Sequence, residues 1–166
     1  MLNACLPATW SFGPESMNTR VPPPVVVVII AAMMWWLAKL LAVGEFKTEI
    51  QPLLAIVFMS AGIGMMLVAA FSFYTAKTTI NPLDPSKASH LITTGLFGVS
   101  RNPIYLADLL ILVAWAIWLG NIFNIALLGV FVVYINRFQI IPEEQALTTL
   151  FADAYRDYCS RVRRWI

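Results

Sequence analysis

Arg101, Arg137, Glu143 and Glu144 stand at the ends of two adjoining apolar stretches. Arg101 belongs to Gly95-Leu96-Phe97-Gly98-Val99-Ser100-Arg101-Asn102-Pro103-Ile104-Tyr105, which runs straight into apolar sequence. Asn136-Arg137 and then Pro142-Glu143-Glu144 close the next apolar stretch. A charge at the centre of a bilayer costs roughly 2.5–3.5 kcal/mol on insertion scales. Gathered at the rim of a two-helix hairpin, the four charges can share one site with water on one side and lipid on the other. The chemistry open to them is anion binding. A guanidinium grips a carboxylate through two parallel hydrogen bonds, and the amides of a helix N-terminus favour negative charge.

Each residue also has a plain structural role to weigh. Arg101 can serve as a cytoplasmic anchor and Asn102-Pro103 as a helix cap. Acidic residues in a first turn offset the helix dipole. Two adjacent glutamates, however, point about 100° apart, so one can serve the helix while the other faces a ligand. Asp108 lies one turn inside its apolar stretch, where an ionisable group is functional by default. It can pair with Arg101 or Arg137, or snorkel. His90, the single histidine, sits in a long loop as a solvated residue or a proton acceptor. Cys5 and Cys159 share no metal-ligand spacing with each other or with His90, so no metal site is expected. The small residues Ser60-Ala61-Gly62-Ile63-Gly64 follow no strand, which excludes a dinucleotide fingerprint and predicts close helix packing.

Four apolar segments must position these groups: Val25 to about Val43, Leu53 to about Tyr74, Pro103 to about Leu119, and Ile122 to about Phe138. A helix needs ~20 residues to span ~30 Å of hydrocarbon. Only Gly120-Asn121 separates the last two segments, which predicts a tight antiparallel hairpin. Pro52 and Pro103 suit the first turn of a helix, and Trp35, Trp36, Trp115, Trp118 and Trp165 are candidate interfacial anchors. After Pro142, Leu147, Leu150, Phe151, Ala154, Tyr155, Tyr158 and Val162 recur at helical spacing, with Asp153, Arg156, Asp157 and Arg161 opposite. That pattern predicts an amphipathic helix along the membrane interface.

The composition agrees. Of 166 residues, 60% are hydrophobic and 12% charged, against about 25% charged in an ordinary soluble domain. The net charge of +2 argues against a nucleic-acid partner. Basic residues cluster in the loop of about residues 75–101 and in the C-terminal segment, which places both in the cytoplasm, with the N-terminus on the same side. Residues 1–20 form a tail without a secretory signal. Met17 is an alternative start that would make residues 1–16 non-native.

Taken together, the two motifs resemble the isoprenylcysteine carboxyl methyltransferase family, within the wider group that includes membrane phospholipid methyltransferases. The resemblance rests on Gly95, Phe97, Arg101-Asn102-Pro103-Ile104-Tyr105, Glu143-Glu144, Leu147, Phe151-Ala152, Tyr155, Tyr158 and Val162-Arg163-Arg164-Trp165. Asn81-Pro82 through Lys87-Ala88, with Leu91, is similar to the bacterial branch. The match covers about residues 77–166. Asn102 stands where the eukaryotic branch has histidine, Gly98 where bacterial relatives often have a basic residue, and Ala152 where the family has glycine.

The resemblance implies an all-α membrane protein with four transmembrane helices and a C-terminal interfacial helix. It implies one domain over 21–166, with the cofactor pocket in 90–166. The implied activity is S-adenosylmethionine-dependent methylation (EC 2.1.1) of a lipophilic acceptor from the bilayer: an isoprenylcysteine-like carboxylate, a phospholipid amine or a lipophilic thiol. Gly95, Phe97, Arg101, Asn102, Pro103, Tyr105, Leu106, Glu143 and Glu144 would bind the cofactor. Arg137, Asn136 and Asp108 would face the reacting groups. Membrane lipids are the surroundings, and a bacterial inner membrane is the expected location. The rival readings are a non-enzymatic membrane scaffold or transport component, and a membrane reductase of the sterol-reductase type.

Overall fold

Apolar sequence of this kind has few options in lipid, because a helix satisfies its own backbone hydrogen bonds where water cannot. The structure, a computed structural model, describes residues 21–76 and 91–166. Among the described residues the regular elements are helices: α1 Pro23–Leu40, α2 Gln51–Thr75, α3 Pro103–Leu119, α4 Asn124–Ile135 and α5 Ile141–Arg161. A π-helical turn, Asn136–Ile140, joins α4 to α5, and short 3-10 turns cover Ala42–Gly44 and Gly95–Gly98. The tail of residues 1–20, with Met17, lies outside the described residues. So do residues 77–90, with His90 and the Asn81–Ala88 segment.

Three helices are long and apolar enough to cross a membrane: α1, α2 and the continuous run Asn124–Arg161. The third expected span, α3, is apolar but has 17 residues, about 26 Å at 1.5 Å per residue. Prolines stand in the first turns of α1, α2, α3 and α5, where the missing N–H is not needed.

Asn102 departs from the sequence expectation. It occupies the N-cap position of α3, but its side chain makes no capping bond. The amide nitrogen instead donates to the Arg164 carbonyl at 3.0 Å. The cap position is given over to holding the C-terminal segment.

α3 is the central helix. α2 packs along one side of it, and α1 and α4 along the other. Gly62 lets α2 approach: a Cβ there would lie 2.8 Å from Ile111 Cγ1 and 3.0 Å from the Ala107 carbonyl. This is the close packing that the small residues predict, achieved at Gly62 rather than Gly64, which faces open space. On the other side, Val26, Ile30 and Met34 of α1 meet Tyr105, Leu112 and Ala116 of α3 and Phe131 and Ile135 of α4 in one buried cluster with Ile140. The outward faces remain apolar, with Val28, Trp36, Ile56, Leu67, Phe71 and Val133 exposed, as expected where the solvent is lipid.

The α3–α4 hairpin turns through Gly120, whose φ of 61° is the left-handed conformation glycine tolerates. The α1–α2 loop is clamped to this turn. Phe46 donates its amide to the Gly120 carbonyl at 2.8 Å, Ile122 donates to the Gly44 carbonyl at 3.0 Å, and Asn121 Nδ2 donates to the Leu41 carbonyl at 2.6 Å. Gln51 Nε2 adds a bond to the Ile117 carbonyl at 2.7 Å.

Two of the candidate anchor tryptophans, both half-buried, also bond within the protein. Trp115 Nε1 donates to the Ala31 carbonyl at 3.0 Å, tying α3 to α1. Trp165 Nε1 donates to Asn136 Oδ1 at 3.2 Å. Trp35, Trp36 and Trp118 are exposed.

α5 buries Tyr155, Tyr158 and Cys159, and Val162 follows beyond its end; Leu91, Leu147 and Phe151 pack against them. Asp153, Arg156, Asp157 and Arg161 are exposed, but so are Leu150 and Ala154, which the spacing placed on the apolar face, so the kinked helix covers only part of that face. The helix is broken at Ala152, where φ is 43° and ψ −114°. Beyond that kink α5 folds back beside residues 91–101 and delivers the chain terminus to the start of α3.

Candidate functional site

Glu144 is the hub of a buried charge cluster. It lies in the first turn of α5, and its side chain is 6% exposed. Arg101, on the threshold of α3 and 2% exposed, places Nη2 3.1 Å from Glu144 Oε1. Arg164 approaches from the C-terminal segment with a two-pronged grip, Nε to Oε1 at 3.1 Å and Nη2 to Oε2 at 2.6 Å. One carboxylate thus stands between two guanidiniums. Removed from water, such a cluster persists only when its geometry is well satisfied.

The backbone reinforces this meeting. Val162 leaves α5 in an extended conformation. Arg101 N then donates to the Arg163 carbonyl at 3.0 Å, and Asn102 Nδ2 to the Arg164 carbonyl. Tyr158 Oη donates to the Phe97 carbonyl at 2.6 Å, so α5 also fixes the 3-10 turn ahead of α3. Gly95 opens that turn with φ 63°. The Phe97 ring is buried, edge-on to Phe73 of α2 with centroids 5.3 Å apart.

A second carboxylate stands next to the first. Glu143 Oε1 accepts a 2.5 Å hydrogen bond from Tyr105 Oη, across from α3 to α5. The adjacent glutamates therefore diverge, Glu144 to the two arginines and Glu143 to the tyrosine.

The structure thus brings together Phe97, Arg101, Asn102, Tyr105, Glu143 and Glu144 at one end of the bundle. Pro103 is buried beneath them, Leu106 is half-buried on α3, and Gly95 is exposed at the edge. Asn136 joins through the Trp165 indole. Arg137 is exposed on the π-helical turn. Asp108 is buried at 7% exposure, and it forms an ion pair with neither Arg101 nor Arg137.

Three further buried or half-buried residues were not assigned to the site from the sequence. Arg164 and Trp165 lie in the C-terminal motif, where Arg164 is one of several arginines that suited a membrane anchor. Gln139 falls within a span and is fully buried. Its signal was an amide in otherwise apolar sequence.

Residues 50–154 match the phospholipid methyltransferase family. An uncharacterized protein of Haemophilus influenzae (strain Rd) is 52% identical over 65 residues, which are 38% of this chain and the whole of that protein. No solved structure matches the chain. With the family match running from the first turn of α2 through Glu143, Glu144 and the kink of α5, the chain belongs to the phospholipid methyltransferase family.

Proposed function

We propose that the protein is an integral-membrane methyltransferase that takes the methyl group of S-adenosylmethionine and delivers it to a lipophilic acceptor. The single observation that carries this reading is the Arg101–Glu144–Arg164 cluster, buried where α3, α5 and the C-terminal segment converge. Its two guanidiniums suit a carboxylate, and Glu143 supplies a separate negative group close by. The cofactor carries a carboxylate and a cationic sulfonium, so the residues fit it.

When bound, S-adenosylmethionine supplies an electrophilic methyl group. The protein's task is then positioning and exclusion of water. Arg101 and Arg164 hold an anionic end, with Glu144 fixing both guanidiniums. Tyr105 orients Glu143. Asn102 holds the C-terminal segment in place over the site. Asn136, on the π-helical turn, keeps Trp165 against it, and Arg137, exposed on the same turn, is placed to meet the acceptor. π-helical turns recur at functional sites because they re-aim neighbouring side chains.

The finer placement in the isoprenylcysteine carboxyl methyltransferase branch rests on the sequence motifs, and a four-span topology with cytoplasmic termini in a bacterial inner membrane on the basic clusters. The test uses detergent-purified full-length protein. S-adenosylhomocysteine should raise its melting temperature and a nicotinamide dinucleotide should not. Stabilisation by the nicotinamide cofactor alone would indicate a reductase, and a response to neither would indicate a scaffold.

A further inference from the structure

The segment beyond α5 grips one helix at two points. Arg164 holds Glu144 through both carboxylate oxygens, and the next residue, Trp165, donates its indole N–H to Asn136 Oδ1 at 3.2 Å. Asn136 and Glu144 belong to the same continuous run, Asn124–Arg161. Asn136 opens the π-helical turn and Glu144 follows its end, so two consecutive residues bracket the turn. The Trp165 ring also packs against the buried cluster that includes Tyr105, Ile135 and Ile140.

The turn decides which glutamate this pair can reach. Ile141 closes it by donating its amide to the Asn136 carbonyl, an i→i+5 bond that takes in one more residue than an α-helical turn. The sequence reason is Pro142, whose ring an unbroken α-helix would set against the Phe138 carbonyl. On an unbroken α-helix, at 100° per residue, Asn136 and Glu144 would stand about 80° apart, and Asn136 and Glu143 only about 20° apart. The extra residue sets everything after the turn back by about 100°, which brings Glu144 to within about 20° of Asn136 and turns Glu143 away. The bonds agree: Glu144 meets Arg164, while Glu143 accepts from Tyr105.

Resting on the methyltransferase reading, we propose that Trp165 is a positioning residue. With Arg164 it clamps the π-helical turn from both flanks and holds Glu144 on the arginines. It also passes the arrival of a cofactor carboxylate at the charge cluster on to the turn that carries Arg137. The π-helical turn is the least regular part of the run, and such turns are where helices are re-aimed at functional sites. The clamp needs the indole N–H as well as the ring, since the N–H makes the bond to Asn136. Binding that orders Arg164 orders Trp165, one peptide bond away, and the turn shares the gain.

The test is amide hydrogen exchange of the full-length protein in a maltoside detergent, read at Ile141, whose N–H closes the turn. It is run without ligand and with S-adenosylhomocysteine at a concentration that calorimetry shows to be saturating for each variant. Without ligand, Trp165→Phe and Asn136→Ala should each speed exchange at Ile141 about fivefold, the factor carried by one hydrogen bond. The double variant should exchange no faster than either single one, because the two residues share that bond. Additive effects would show that Trp165 acts through packing alone and would overturn the proposal. In wild type, S-adenosylhomocysteine should slow exchange at Ile141 at least about fivefold. In Trp165→Phe that slowing should be lost although the ligand is bound. If wild type binds the ligand without slowing at Ile141, or Trp165→Phe slows as wild type does, the proposal fails and the methyltransferase reading stands. If the two variants are non-additive but wild type binds no S-adenosylhomocysteine, the positioning role stands and the methyltransferase reading fails.

Discussion

Arg164 holds both carboxylate oxygens of Glu144, at 3.1 Å and 2.6 Å, although twenty residues and a helix kink separate them in the chain. The contact joins the first turn of α5 to the segment beyond its end, so α5 must double back for the cluster to exist. Arg101 closes the cluster from α3. Three separate pieces of the chain thus depend on one carboxylate.

Replacing Glu144 with alanine leaves two guanidiniums facing each other in a buried site. Breaking a buried ion pair from one side costs about 3–5 kcal/mol. Glu144→Ala should therefore melt markedly lower than wild type in detergent and bind S-adenosylhomocysteine at least tenfold more weakly, by roughly the loss of one charge-assisted contact. Normal affinity by calorimetry would move the cofactor elsewhere.

Arg164→Lys keeps the charge but not the planar fork. A lysine cannot make the two-pronged contact with Glu144, so the exchange is not conservative. S-adenosylhomocysteine affinity should fall, with about 1–2 kcal/mol lost in stability for one forfeited hydrogen bond. A lysine variant indistinguishable from wild type would show that Arg164 contributes charge alone.

Gly120→Ala tests the opposite end of the bundle. The position needs φ 61°, and an added Cβ would stand 2.5 Å from the Phe46 carbonyl. Strain of this kind costs of order 1–3 kcal/mol. The melting temperature should drop while cofactor affinity in the folded protein stays unchanged. A selective loss of affinity would contradict the separation of the two ends.

At Ala152 the expected change is in the other direction. Its φ of 43° and ψ of −114° suit glycine, and the family pattern has glycine there. Ala152→Gly should raise stability by about 1 kcal/mol, since glycine enters this region without a steric penalty. Thermal unfolding at matched detergent concentration measures it, and a lower melting temperature would argue that the kink is not strained.

Arg137→Lys probes the exposed side of the π-helical turn. Cofactor binding should be retained and methyl transfer reduced about tenfold, because an interaction made to the acceptor in the transition state appears in turnover. Unchanged turnover would reduce Arg137 to an anchor.

By itself, the sequence determined the elements and much of the candidate site. Long apolar runs have one economical conformation where backbone groups cannot reach water, so the helices at Pro23–Leu40, Gln51–Thr75 and Pro103–Leu119 were legible. Gly120-Asn121 between two such runs could only be a tight turn. Arg101, Tyr105, Glu143 and Glu144 stood out because charged and hydroxyl groups beside hydrocarbon are expensive. What they would touch was decided only by the fold. A helical period says which residues share a face, not which face another segment covers. Asn102 read as a cap, yet the tertiary structure gave its amide to the Arg164 carbonyl. The partners of the Trp115 and Trp165 indoles, the Ala31 carbonyl and Asn136 Oδ1, were likewise set by the fold. Arg164 stood in the C-terminal motif without a partner until α5 bent at Ala152, where an unfavourable backbone angle, invisible in local propensity, turned the segment back onto Glu144.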